Sequence, residues 1–139
     1  MSIWKTQLTP HQAQEFARNT MVDQLDMRIV EIGDDYVKGT MPVDHRTRQP
    51  YGLLHGGASV ALAETLGSFA AHMAVEPECR CVGLEINANH LRSKKQGLVT
   101  GIARPVHLGR STQIWDIRIT DEAERLICIS RLTLAVLKP

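Results

Sequence analysis

The stretch Leu53–Val75, LLHGGASVALAETLGSFAAHMAV, limits the fold more than any other part of this chain. It is rich in Ala and Gly, and between Arg48 and Glu76 it carries one formal charge, Glu64. Read as a helix, it is apolar almost all the way round and must be covered over most of its surface. A carboxylate buried in such a segment is costly unless it is paired or solvated from a cavity. Glu64 is therefore the first candidate for chemistry. The run is also long enough to suggest a membrane span, but its central Glu64, its glycines and its near-neutral alanines argue against one.

The cover for this helix follows it in the chain. Arg80–Leu91, Leu98–Arg104, Gln113–Thr120 and Arg125–Leu137 alternate in polarity and are separated by SKKQG, PVHLGRS and DEAE, all plausible turns. Val82, Leu84, Ile86 and Ala88 predict the inward side of the first strand. Leu126, Cys128, Ser130, Leu132, Leu134 and Val136 keep period two through the last. Upstream, Thr9-Pro10-His11-Gln12 has the cap, first-turn proline and capping-box glutamine of a short helix running to about Asn19. Asp26–Ile32 and Tyr36–Val43 flank Gly33-Asp34-Asp35 and predict a hairpin. A polar loop, Asp44–Tyr51, then leads into the long helix. The expected tally is two helices and six strands, ordered β-β-α-β-β-β-β after the first helix. Consecutive strands on short turns imply an antiparallel sheet with the long helix across its concave face, an α+β architecture. At 139 residues and 43% hydrophobic content, the expectation is a single domain over 1–139 with one core.

Composition excludes several function classes. Sixteen basic and fifteen acidic residues leave a net charge of +1, which predicts no nucleic-acid or anionic-membrane partner. Cys79, Cys81 and Cys128 have no metal-ligand spacing and read as small hydrophobes; no metal is expected. Their odd number and the lack of a signal peptide predict a reducing, cytoplasmic setting. There is no Gly-x-Ser-x-Gly elbow around Ser59 or Ser68, no dinucleotide fingerprint and no phosphate loop.

At 100° per residue, the helix divides into three faces. Leu62, Leu66, Phe69 and Met73 form a stripe expected to pack on the sheet. Ala63, Gly67, Ala70, Ala71 and Ala74 form a small-residue stripe suited to another backbone. The third face holds Gly57, Ala61, Glu64, Thr65, Ser68 and His72. Glu64 and Ser68 lie four apart and project side by side. Plain solvation of this face competes with a functional reading, although a solvated face usually carries more than one charge. His55-Gly56-Gly57 precedes the helix. The free N–H groups of a helix start are suitable donors for an oxyanion, and glycines let a substrate approach them. Simple turn chemistry is the competing reading of the Gly pair. His90 closes the strand ending NANH, while His11 and His107 read as helix-surface and turn residues.

MPVDHRTRQPYGLLHGGASVALAETLGS, VGLEINANHLR and PVHLGRSTQIWDIRI together resemble the hotdog-fold acyl-CoA thioesterases. The likeness is to the menaquinone-pathway naphthoyl-CoA and enterobactin-pathway proofreading branches and runs over nearly the whole chain. It implies a sheet wrapped round the central helix, edge-to-edge dimers, a dimer-of-dimers tetramer and an active site across the dimer interface. It also implies Glu64 as the catalytic carboxylate, with Gln49 and the Gly56 backbone polarising the carbonyl. His55 would lie next to that site, Ser68 would position water from across the interface, and His90 would line the pocket. Arg92 and the turn His107, Gly109, Arg110, Ser111 are the coenzyme A candidates. Ser93 stands where relatives often have proline, and Phe69 where a smaller or more flexible residue is usual, so its ring would limit the acyl group if it edged the pocket. The implied reaction is hydrolysis of an acyl-CoA, with no cofactor beyond the coenzyme A thioester itself. An acyl group on a carrier protein is the main alternative. A hydratase, which would want an Asp-His pair, and a non-catalytic acyl-CoA sensor rank lower.

Overall fold

The computed structural model describes residues 1–139. In chain order the elements are α1 (Pro10–Phe16), α2 (Met21–Gln24), β1 (Arg28–Ile32), β2 (Val37–Val43), α3 (Gly56–Met73), β3 (Arg80–His90), β4 (Gly97–Leu108), β5 (Thr112–Thr120) and β6 (Leu126–Leu137). The strands form one antiparallel sheet in the order β1-β2-β4-β5-β6-β3, leaving β1 and β3 as its edges. Helix α3 lies on one face and is packed against β2, β3, β4, β5 and β6. This is the expected α+β hotdog arrangement, with the expected strand order after the first helix.

Most of the helix surface is consumed by the sheet. Leu62, Leu66 and Met73 are fully buried, each worth roughly 1.5–3 kcal/mol relative to exposure. Leu66 reaches deep because Gly39 and Gly101 lack side chains; a Cβ at either would lie 2.5 or 2.7 Å from its methyls. The small-residue stripe also faces the sheet, where Gly67 accommodates Leu132 and Ile117. The backbone it was expected to meet is thus β5 and β6 of its own sheet. At the C-terminal end of α3 the amino-terminal segment crosses over: Lys5 and Thr6 donate N–H bonds to Met73 O, and Trp4 stacks on buried Trp115 at 6.2 Å between centroids.

Several expectations need correction. The first helix has the predicted capping box but ends at Phe16, short of Asn19, whose φ of 60° is left-handed and incompatible with continuing the helix. A third helix, α2, follows it. Pro105–Leu108 continue β4 rather than turning. A bulge follows between Pro105 and His107, and the turn shrinks to 109–111. In β3 the alternation breaks at a bulge between Gly83 and Glu85. Ile86 and Ala88 pack on the core as expected, but Val82 and Leu84 are 44% and 61% exposed, and Cys81 faces inward instead.

Candidate active site

The loop before α3 is rigid because its polar groups are used internally. Buried Thr47 donates its hydroxyl to Pro42 O at 2.8 Å and accepts from the Asp44 N–H. Hydrogen bonding and charge from Arg46, at 2.6 Å, hold the Asp44 carboxyl well below the usual carboxylate range. The His55 N–H bonds Thr47 O and the Leu54 N–H bonds Lys94 O. The turn that carries Gln49 is therefore fixed at its base. The Gln49 side-chain oxygen accepts the Tyr51 N–H at 2.6 Å. With its acceptor end occupied, the amide presents its NH2 end as a donor.

His55 caps α3, an uncommon choice at a position that favours Ser, Thr, Asp and Asn. Its Nδ1 accepts the Gly57 N–H at 2.8 Å, which selects the tautomer protonated on Nε2 whenever the ring is neutral. One of the helix's orphan donors is thereby satisfied. The Gly56 N–H remains at the positive end of the helix dipole. A Cβ at Gly56 would lie 2.8 Å from Nε2 of the exposed His90 ring, which would have to turn aside. Gln49, Gly56, Ser59, His90 and Arg92 line one cleft of about 390 Å3. The sequence argument placed Gln49, Gly56, His90 and Arg92 at a site, and here they share one. Ser59 is an addition, and its only trace in the sequence is a hydroxyl three residues beyond Gly56 in an apolar run.

Glu64, Ser68 and Phe69 lie elsewhere. They line a groove of about 410 Å3 whose other wall is Ala13, Phe16, Val22 and Ile29. Past Phe69 the groove continues into a recess of about 540 Å3 reaching His72, Met73 and Cys81. Phe69 is half-buried at this rim, beside a Phe16 ring that is 72% exposed, rather than fully inside the sheet-facing stripe. The wall supplied by α1 has no signal in the sequence pattern. The Glu64 carboxylate is half-buried and takes part in no ion pair of the protomer. Its Oε1 lies 2.9 Å from the position a Cβ on Gly83 would occupy. The carboxylate thus sits directly against edge strand β3, at a point where a side chain would displace it.

Eight residues of helix separate Gly56 from Glu64, an axial distance of about 12 Å. No single carbonyl group can touch both within one protomer. His107, which lies in β4 rather than in a turn, and the turn residues Gly109, Arg110 and Ser111 are more distant still. Gly109 and Arg110 line a recess with Ala74, Val75 and Glu76, beyond the C-terminal end of α3, whose length is about 27 Å. Arg110 and Ser111 face Lys138 there. The two groups of coenzyme A candidates, Arg92 and this turn, are not brought together within the protomer.

Comparison with known proteins adds an independent finding. Residues 51–128 match the thioesterase superfamily. The chain is 53% identical over 135 residues to a 1,4-dihydroxy-2-naphthoyl-CoA hydrolase of Escherichia coli K12, covering 97% of this chain and 99% of that protein. It is 49% identical over 135 residues to a proofreading thioesterase of Cronobacter sakazakii, covering 97% and 98% respectively. The crystal structure of a thioesterase from Haemophilus influenzae, 48% identical, superposes with a TM-score of 0.96 over 98% of this chain and 95% of that one.

Proposed function

The chain belongs to the thioesterase superfamily and hydrolyses thioesters; from that premise we propose that its substrate is an aromatic or naphthoyl acyl-CoA, cleaved at a site shared by two copies. The observation that carries this reading is the separation of donors from carboxylate along α3. The Gly56 N–H and the Gln49 amide converge on one cleft, and Glu64 is about two turns further on. Edge strand β3 runs beside Glu64 with its outer side unpaired. An eleven-residue free edge is a template for antiparallel pairing with a second β3. Such pairing sets the Glu64 groove of one copy at the seam, facing the Gly56 cleft of the other.

In this reading the thioester oxygen lies between the Gly56 N–H and the Gln49 amide, which hold the charge that develops there. His55 keeps the Gly57 N–H occupied, and His90 walls the cleft over Gly56. Glu64 of the opposite copy either takes a proton from water as it attacks the carbonyl carbon, or attacks that carbon itself to give an anhydride that water then opens. In both routes the C–S bond breaks, the coenzyme A thiolate takes up a proton, and a free acid leaves. Ser68, on the same groove as Glu64, positions the water. Phe69 and Phe16 bound the acyl group, and Arg92 meets the phosphate end, with His107 from the end of β4 and the turn residues Gly109, Arg110 and Ser111 of another copy as its partners. A single domain over the whole chain, a dimer-of-dimers assembly and a cytoplasmic place in menaquinone biosynthesis complete the proposal.

A second reading, an acyl group on a carrier protein, draws on the likeness to a proofreading thioesterase. Both carriers present the same phosphopantetheine arm to the cleft. The deciding experiment follows thiol release from benzoyl-CoA, a naphthoyl-CoA, a medium-chain acyl-CoA and an aryl carrier-protein thioester, using the native chain and Glu64→Gln. Naphthoyl-CoA is expected to be cleaved fastest, and Glu64→Gln to release no thiol while staying folded and oligomeric. Preference for the loaded carrier selects the second reading. Binding without thiol release from any of the four refutes both.

A further inference from the structure

We infer that the Ser59 hydroxyl is a third hydrogen-bond donor of the carbonyl-holding cleft, acting beside the Gly56 N–H and the Gln49 amide. Ser59 is 1% exposed, yet it lines the cleft with Gln49, Gly56 and His90. It follows Gly56 by three residues in α3, so the two lie on the same side of the first helical turns. A buried serine in a helix ordinarily returns its proton to the carbonyl four residues back. Thr65 does so here, donating to Ala61 O at 2.7 Å. Ser59 makes no such bond. The carbonyl four residues before it, His55 O, instead receives the backbone N–H groups of Ala58 and Ser59 itself. No fully enclosed side-chain oxygen or nitrogen in the protein is left without a partner. The trace of surface that Ser59 retains therefore belongs to its hydroxyl, which opens into the cleft.

A hydroxyl in that position is a buried donor that can rotate towards the cleft, with no acceptor of its own chain engaged. A thioester oxygen bound at Gly56 gains negative charge as the carbonyl carbon becomes tetrahedral, and a donor already in place gains strength as it does so. This inference rests on the proposed thioester site. It assigns Ser59 to the transition state more than to initial binding, which sets the expected signature.

The test compares Ser59→Ala with the native chain on the best acyl-CoA substrate, measuring kcat, KM and melting temperature. Loss of the donor is expected to lower kcat by about 10–100-fold with KM changed less than about twofold and melting unchanged. An unchanged kcat, or a rise in KM alone, overturns the inference while leaving thioester hydrolysis intact. Inactivity of the native chain itself would instead fail the functional reading. If Ser59→Ala melts early, Ser59→Cys, close in volume and a far weaker donor, is judged by the same criterion.

Discussion

At Gly56 a Cβ would come within 2.8 Å of the His90 ring. Gly56→Ala keeps the backbone N–H but forces that ring, or the helix start, to move. A shift of about 1 Å at such a site can cost about 10²-fold, so kcat is expected to fall by that order with little change in helix content by circular dichroism. Adding His90→Ala relieves the collision, and partial recovery in the double variant identifies sterics as the cause. Gln49→Ala removes a donor outright and is expected to lower kcat by about 10²–10³. The two candidates differed in how far the residue pattern could define them. HGG before a helix suggests free N–H groups at a helix start, in competition with simple turn chemistry, whereas the direction of the Gln49 amide depends on the Tyr51 N–H that binds its oxygen.

Two elements have properties that single residues do not reveal. The 91–96 segment joins β3 to β4 and carries Arg92, and its Lys94 carbonyl receives the Leu54 N–H ahead of α3. Lys94 is clasped by Glu122, whose carboxyl is drawn from its ordinary 4.5 down to about 2, first by the Lys94 hydrogen bond and then by the Leu98 N–H. A carboxyl held below its unfolded value stabilises fully above about pH 4.5 and loses that contribution as pH falls towards 2. Glu122→Gln is thus expected to lower the melting temperature at pH 7, with the difference from the native chain closing near pH 2. At α3, His55→Ala deprives the Gly57 N–H of its partner and is expected to cost about 1 kcal/mol in denaturant unfolding. Strand periodicity located every strand of the sheet but missed its four register breaks, those in β3 and β4 among them. A bulge inserts one residue without disturbing composition, so only the pairing partner reveals where the phase slips.

Across the whole molecule, the proposed site is divided between two copies, and this has a sharp consequence. Glu64→Gln alone is expected to be inactive, and Gln49→Ala alone to keep at most about 1% of native activity. Co-assembled at random, they form mixed pairs in which one of two sites combines an intact Glu64 with an intact Gln49, restoring about a quarter of native activity. No recovery after subunit exchange, verified by mass, would place the whole site within one chain. A charge on the β3 edge, Val82→Lys, is expected to lower the assembly size by light scattering and the activity together. The apolar helix, its lone carboxylate and the alternating strands were legible in the residues because helix and sheet patterning are local, with periods of 3.6 and 2. The packing of the small-residue stripe on β5 and β6, the groove wall from α1 and the exposure of Phe69 came only with folding. Each depends on which distant segment fills the space beside a residue, and chain spacing carries no record of that.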